Sequence, residues 1–117
     1  MINANITKRN IVAKIRDVNI LEIEAFIQGA VYAYCKNCGG WFSARTLFGG
    51  DNYDWNGTPL IVLYDWHETN GSSDPVKMAG KDLGWLLLGV LKRDSRLFET
   101  RKGYTREYLW VKGSSEI

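Results

Sequence analysis

The sequence predicts a single α+β domain that is mostly helical and ends in a β-hairpin. At 117 residues the chain has the length of one domain, and its hydrophobic fraction of 45% and charged fraction of 24% are those of a folded globular protein. Apolar residues recur at helical spacing through most of the chain. Near the C-terminus, two short runs of strand-forming residues flank a loop that contains one glycine.

Residues 1–39 are expected to form an N-terminal helical extension. Thr7 can cap a short first helix, and a second helix begins near Asn19. Apolar residues from Ile20 to Tyr34 recur on one face of this second helix and predict a core contact. The pair Gly39-Gly40 predicts the end of the helix, because glycine readily adopts the left-handed conformation that terminates helices.

Three helices are predicted in the next part of the chain. Ser43 can cap a short helix over residues 44–48, and Thr58 followed by Pro59 has the pattern of a capping residue before a proline at the first helical position. A long helix is predicted from about Lys77 to Asp94. Its inward stripe consists of Leu83, Leu86, Leu87, Val90 and Leu91.

The predicted hairpin pairs residues 96–100 with residues 104–111. The loop Arg101-Lys102-Gly103 joins them, with the glycine expected in a left-handed conformation. The structured C-terminal region is thus expected to cover residues 41–112, and residues 113–117 are expected to form a flexible tail.

Charge is distributed unevenly along the chain, although the net charge is only +2. Between Asp51 and Asp74 all charged residues are acidic, whereas residues 92–112 are rich in lysine and arginine. Such a basic segment favours a surface that contacts phosphate. The alternative is a solvated edge ribbon whose charges prevent aggregation between sheets.

Four segments of the chain, taken in order, resemble the winged-helix region at the C-terminus of phage and plasmid primase-helicases. These segments are WNGTPL at 55–60, LY at 63–64, AGKDLGWLL at 79–87 and GYTREY at 103–108. The resemblance implies a winged helix with a recognition helix at residues 80–92, a wing at residues 96–111 and DNA as the partner. It carries over no primase or helicase module and no catalytic residue, so we expect a free-standing accessory domain.

In a winged helix, the recognition helix enters the major groove and cations of the wing contact the phosphate backbone. The residues expected to contact duplex DNA are Lys81, Lys92, Arg93, Arg96, Arg101, Lys102, Tyr104 and Arg106. The outward face of the helix is also expected to show Asp82, Trp85 and Leu88. Because Trp85 and Leu88 are large and apolar, the alternative is a protein-interaction module of the same fold that pairs through them, with a second copy or another protein.

Cys35 and Cys38 have the spacing of half a zinc site or of a redox pair. A structural zinc site needs four ligands, so no metal or other cofactor is expected unless a dimer shares two such pairs. His67, flanked by Asp65 and Glu68, is expected near the end of a helix, where a positive charge interacts favourably with the helix dipole. No motif joins it to a nucleophile, so we expect no enzymatic activity.

No apolar run approaches the roughly 18 residues that a membrane span requires. The first residues of the chain lack the pattern of a signal peptide. A cytoplasmic protein with no membrane partner and no small-molecule substrate is therefore expected.

Overall fold

A computed structural model of the chain describes residues 17–49 and 54–111. Within these residues four helices precede one antiparallel hairpin, which confirms the predicted α+β class. The helices are α1 (Asp17–Asn37), α2 (Ala44–Phe48), α3 (Ile61–Thr69) and α4 (Pro75–Arg93), and the strands are β1 (Phe98–Lys102) and β2 (Arg106–Trp110). The short helix predicted after Thr7 and the predicted tail at residues 113–117 lie outside the described residues.

Helix α1 buries the apolar face that its sequence predicts. Ile23, Ile27 and Val31 are completely buried. The helix ends as expected, because Gly39 and Gly40 have φ angles of 71° and 85°, in the left-handed region that glycine tolerates.

The predicted start of α2 is confirmed, whereas α3 starts later than predicted. The hydroxyl of Ser43 accepts from the backbone N–H of Thr46 at 3.2 Å, which confirms the predicted cap of α2. Thr58 lies in the turn before α3, where its hydroxyl donates to the carbonyl of Trp55 and accepts from the backbone N–H of Leu60 at 3.2 Å. Helix α3 therefore begins later than predicted, at Ile61.

Helix α4 begins at Pro75, two residues before the predicted start at Lys77, and ends at Arg93. The carboxylate of Asp74 accepts from the backbone N–H of Lys77 at 3.2 Å and so caps the helix. The predicted inward stripe is confirmed, since each of its members is buried: Leu83, Leu86, Leu87, Val90 and Leu91.

The hairpin forms in a different register from the predicted one. Lys102 pairs with Arg106, so the loop consists of residues 103–105 and the first strand starts at Phe98. The left-handed conformation expected of Gly103 is wrong, because its φ angle is not positive. A Cβ atom at this position would lie 3.1 Å from the carboxylate carbon of Glu107, so the glycine leaves room for that side chain.

The hairpin is attached to the helices by one further backbone pair. Phe42 and Tyr108 exchange hydrogen bonds of 2.9 and 2.7 Å, which places the segment before α2 beside β2. Their rings are both buried, with centroids 6.0 Å apart, in the core that α1, α3 and α4 complete. Over residues 17–49 and 54–111, no helix combines the length and apolar character needed to cross a membrane.

Candidate nucleic-acid interface

A buried polar contact fixes α3 against α4. The Nε2 atom of His67 lies 2.7 Å from Oδ2 of Asp82, and both residues are buried. His67 lies in the last turn of α3, as the sequence predicts, and its acidic partner is Asp82, 15 residues further along the chain. The outward position predicted for Asp82 is wrong, because α3 packs over that part of α4.

A groove opens where the hairpin loop, α2 and the N-terminal half of α4 approach one another. Its volume is about 1030 Å³. Helix α4 lines it with Leu83, Gly84, Trp85, Leu87 and Leu88. Among the described residues, four cations and one carboxylate also line it: Arg45, Lys77, Lys81, Arg106 and Asp74. The groove therefore combines an apolar wall with a surplus of positive charge.

Three of these cations are exposed, and none of them is paired with a carboxylate of residues 17–49 or 54–111. Lys77 and Lys81 lie one turn apart on α4, and Arg106 begins β2. Asp74 caps the helix through the backbone of Lys77. Their charge is available to an anionic ligand.

Tyr104 stands at the hairpin loop beside the same groove, with 87% of its surface exposed. The guanidinium carbon of Arg45 lies 5.0 Å from the centroid of its ring. This distance is that of a cation–π contact between α2 and the hairpin loop. The prediction that Tyr104 belongs to the interface remains compatible with this position.

Trp85 and Leu88 are neither fully buried in the core nor fully exposed on the surface of α4. Both are half-buried and pack against the hydrophobic core, yet both also line the groove. They do not form the protruding apolar patch that an outward face of α4 implies. Their remaining accessible surface is directed into a concavity.

The other cations of the hairpin divide between its two faces. Arg101 and Glu107 are paired in the register and form an ion pair of 2.5 Å between Nε and Oε1. The guanidinium carbon of Arg101 also lies 4.2 Å from the ring centroid of Trp41. Because side chains alternate along a strand, Lys102 and Arg106 lie on the opposite face from Arg101. Lys102 is exposed, but it does not line the groove.

The C-terminal end of α4 lies outside the lining of the groove. Lys92 is exposed about three turns beyond Lys81 and lies outside the groove lining. Arg93 donates to the carboxylate of Glu24 at 2.5 Å and thereby connects α4 to α1. These two cations are therefore separated from the groove.

Arg96 was predicted to contact DNA, and this is wrong because its side chain is completely buried. Its guanidinium donates twice to Asp94, at 3.0 and 2.8 Å, and lies 3.9 Å from the ring centroid of Tyr32. Burial raises the pKa of Asp94, but hydrogen bonds from Arg96 and Gln28 outweigh this and hold the pKa at about 2. Arg96 joins α1 to the turn after α4.

The two cysteines lie at the end of α1, away from the groove. Cys35 is half-buried and Cys38 is exposed. Burial raises the pKa of the Cys35 thiol, and the charge of Arg96 opposes this shift. Within residues 17–49 and 54–111 no three His, Cys, Asp or Glu side chains are grouped as metal ligands would be.

Two of the four cations that line the groove, Arg45 and Lys77, were not among the site residues predicted from the sequence. The position of Lys77 four residues before Lys81 indicates a shared helix face and could have identified it. No sequence signal identifies Arg45, because its place depends on how α2 and the hairpin loop meet.

Comparisons of the chain with protein-family models, curated proteins and solved structures gave no match.

Proposed function

We propose that this protein binds nucleic acid through the groove between α4 and the hairpin loop. The observation that carries the proposal is the grouping of Lys77, Lys81 and Arg106, none of them paired with a carboxylate of the described chain, around one concave surface. Cations placed together in this way neutralise phosphates and release the counterions condensed on a nucleic acid. The exposed ring of Tyr104 adds a surface that is suited to a base.

We further propose that the fold is a winged helix in which α4 is the recognition helix and the hairpin is the wing. Helices α3 and α4 are joined by a short connection that contains Gly71, as in helix-turn-helix pairs. Recognition helices contact nucleic acid mainly through their N-terminal residues, and Lys77 and Lys81 occupy that end of α4.

The contacts around the groove explain how it would keep its shape before a ligand binds. The pair His67–Asp82 fixes α4 against α3, and the backbone pair Phe42–Tyr108 fixes the hairpin against the helices. Two of the elements that carry the cations are therefore positioned by buried contacts. Preorganisation of this kind reduces the ordering that a ligand must impose when it binds.

The alternative of a protein-interaction module rests on Trp85 and Leu88. Both are half-buried against the core, and the surface they leave accessible is bordered by Lys77 and Lys81. An apolar protein partner would have to desolvate these ammonium groups without compensation, which is unfavourable. The charge of the groove favours an anionic ligand instead.

The proposal is tested by fluorescence anisotropy with labelled oligonucleotides, single-stranded and duplex, across a series of salt concentrations. We expect binding that weakens steeply with salt, and a shallower salt dependence in the double variant Lys81→Ala/Arg106→Ala. Loss of two phosphate contacts lowers the logarithmic slope by about 1.5.

Lys92→Ala/Arg101→Ala is the matched control, because it also removes one lysine from α4 and one arginine from the hairpin, both outside the groove lining. This variant should retain the slope of the unmodified protein. Absence of binding to both oligonucleotides at low salt, or equal slopes for the double variant and the unmodified protein, would overturn the proposal.

A further inference from the structure

We infer that the groove binds a single-stranded segment of nucleic acid. Unpaired bases would lie against the apolar residues of α4 and the ring of Tyr104, and phosphates would contact Lys77, Lys81 and Arg106. This inference rests on the proposed binding of nucleic acid in the groove, and it places a single strand against α4 instead of the duplex that a recognition helix usually enters.

The first argument is the apolar wall. Trp85, Leu88 and the neighbouring Leu83 line the concave surface and offer no side-chain hydrogen bond to the edge of a base, apart from the indole N–H of Trp85. In a duplex the faces of the bases are stacked on one another, and only their edges and the phosphate backbone are accessible. The surface that Trp85 and Leu88 leave accessible is therefore better suited to the exposed base faces of a single strand than to a duplex.

The second argument is the position of Tyr104. A ring with 87% of its surface exposed at a loop contributes little to the core and is accessible to a ligand. The guanidinium of Arg45 lies beside it at 5.0 Å from the centroid and restrains its orientation. Exposed aromatic rings next to cations are the surfaces on which proteins stack unpaired bases.

The third argument is size and charge. A volume of about 1030 Å³ is at the upper limit of pockets that enclose small ligands, roughly 300–1,000 Å³, so flat bases can enter it. The exposed cations Lys77, Lys81 and Arg106 line the same groove as the apolar side chains, so phosphates and bases can both find partners there. The cations therefore suit the phosphate of a nucleotide, and the apolar residues suit its base.

The test compares three labelled probes of equal length, about twelve nucleotides: oligo(dT), a duplex, and an abasic strand that keeps the sugar and phosphate groups but lacks bases. Anisotropy is measured with the unmodified protein and with Tyr104→Ala, Tyr104→Phe and Tyr104→Leu. Tyr104 is exposed, so these variants should fold normally, which circular dichroism verifies.

We expect the unmodified protein to bind oligo(dT) about tenfold more tightly than either the duplex or the abasic strand. Tyr104→Ala and Tyr104→Leu should lose most of this advantage, whereas Tyr104→Phe should keep it. Binding of the abasic strand as tight as that of oligo(dT), or tighter binding of the duplex, would overturn the inference and leave the proposed function intact. Failure of all three probes to bind would overturn both.

Discussion

Nε2 of His67 and Oδ2 of Asp82 are 2.7 Å apart in the interior, where they join α3 to α4. Because Asp82 points inward, the preceding residue, Lys81, is turned toward the groove. The same contact that stabilises the two helices therefore positions a cation of the candidate interface. A polar group left buried without its partner is strongly unfavourable, so this pair constrains the helix packing.

Replacement Asp82→Ala is expected to lower the free energy of unfolding by roughly 2 kcal/mol, because it leaves the imidazole of His67 buried without its hydrogen bond. Urea denaturation measures the change. Asp65→Ala, which removes an exposed carboxylate from α3, should change stability by less than about 0.5 kcal/mol. Equal effects of the two substitutions would show that the buried contact does not stabilise the protein.

Acid should weaken the protein through Asp94. Its pKa is held at about 2 in the folded state, below the ordinary value of 3.8, so its contribution to stability is present above pH 3.8 and is lost as the pH falls toward 2. The size of this loss is roughly 2 kcal/mol. Urea denaturation at several pH values should reveal it in the unmodified protein.

The variant Asp94→Asn should be less stable near neutral pH but should lack this component of the acid dependence. A pH profile of stability in Asp94→Asn that parallels the unmodified protein down to about pH 2 would assign the acid sensitivity to other carboxylates.

The two arginines of the hairpin should differ in their effect on nucleic-acid binding. Arg106 lines the groove, whereas Arg101 is paired with Glu107 and lies over Trp41 on the other face. Arg106→Ala is expected to weaken binding severalfold and lower the salt slope by about 0.7 for a single strand. Arg101→Ala should have a smaller effect, measured with the same labelled oligonucleotide. A larger loss with Arg101→Ala would place the contact on the opposite face of the hairpin.

Local signals in the sequence predicted most of the fold. The Ser43 cap, the Gly39-Gly40 stop and the leucine stripe of α4 each depend on a few neighbouring residues, and each is confirmed. The hairpin register was wrong because pairing depends on cross-strand partners. Glu107 opposite Arg101 keeps that residue within the ladder and moves the turn to residues 103–105.

The candidate site was less predictable, since it depends on contacts between distant elements. Basic character suggested phosphate contact for Arg96 and Lys81 alike. Burial of Arg96 against Asp94 and Tyr32 follows from the packing of α1, which no local pattern reveals. Arg45 lines the groove through the proximity of α2 and the hairpin loop, which are about 60 residues apart in sequence.

The most direct test of the interface is a titration of the ¹⁵N-labelled protein with oligo(dT), followed by amide chemical shifts. The largest shifts should fall on the N-terminal half of α4 around Lys77 and Lys81 and on the hairpin loop around Tyr104 and Arg106. The end of α4 around Lys92 should change little. Shifts concentrated around Lys92, or none at all at saturating oligonucleotide, would contradict nucleic-acid binding in this groove.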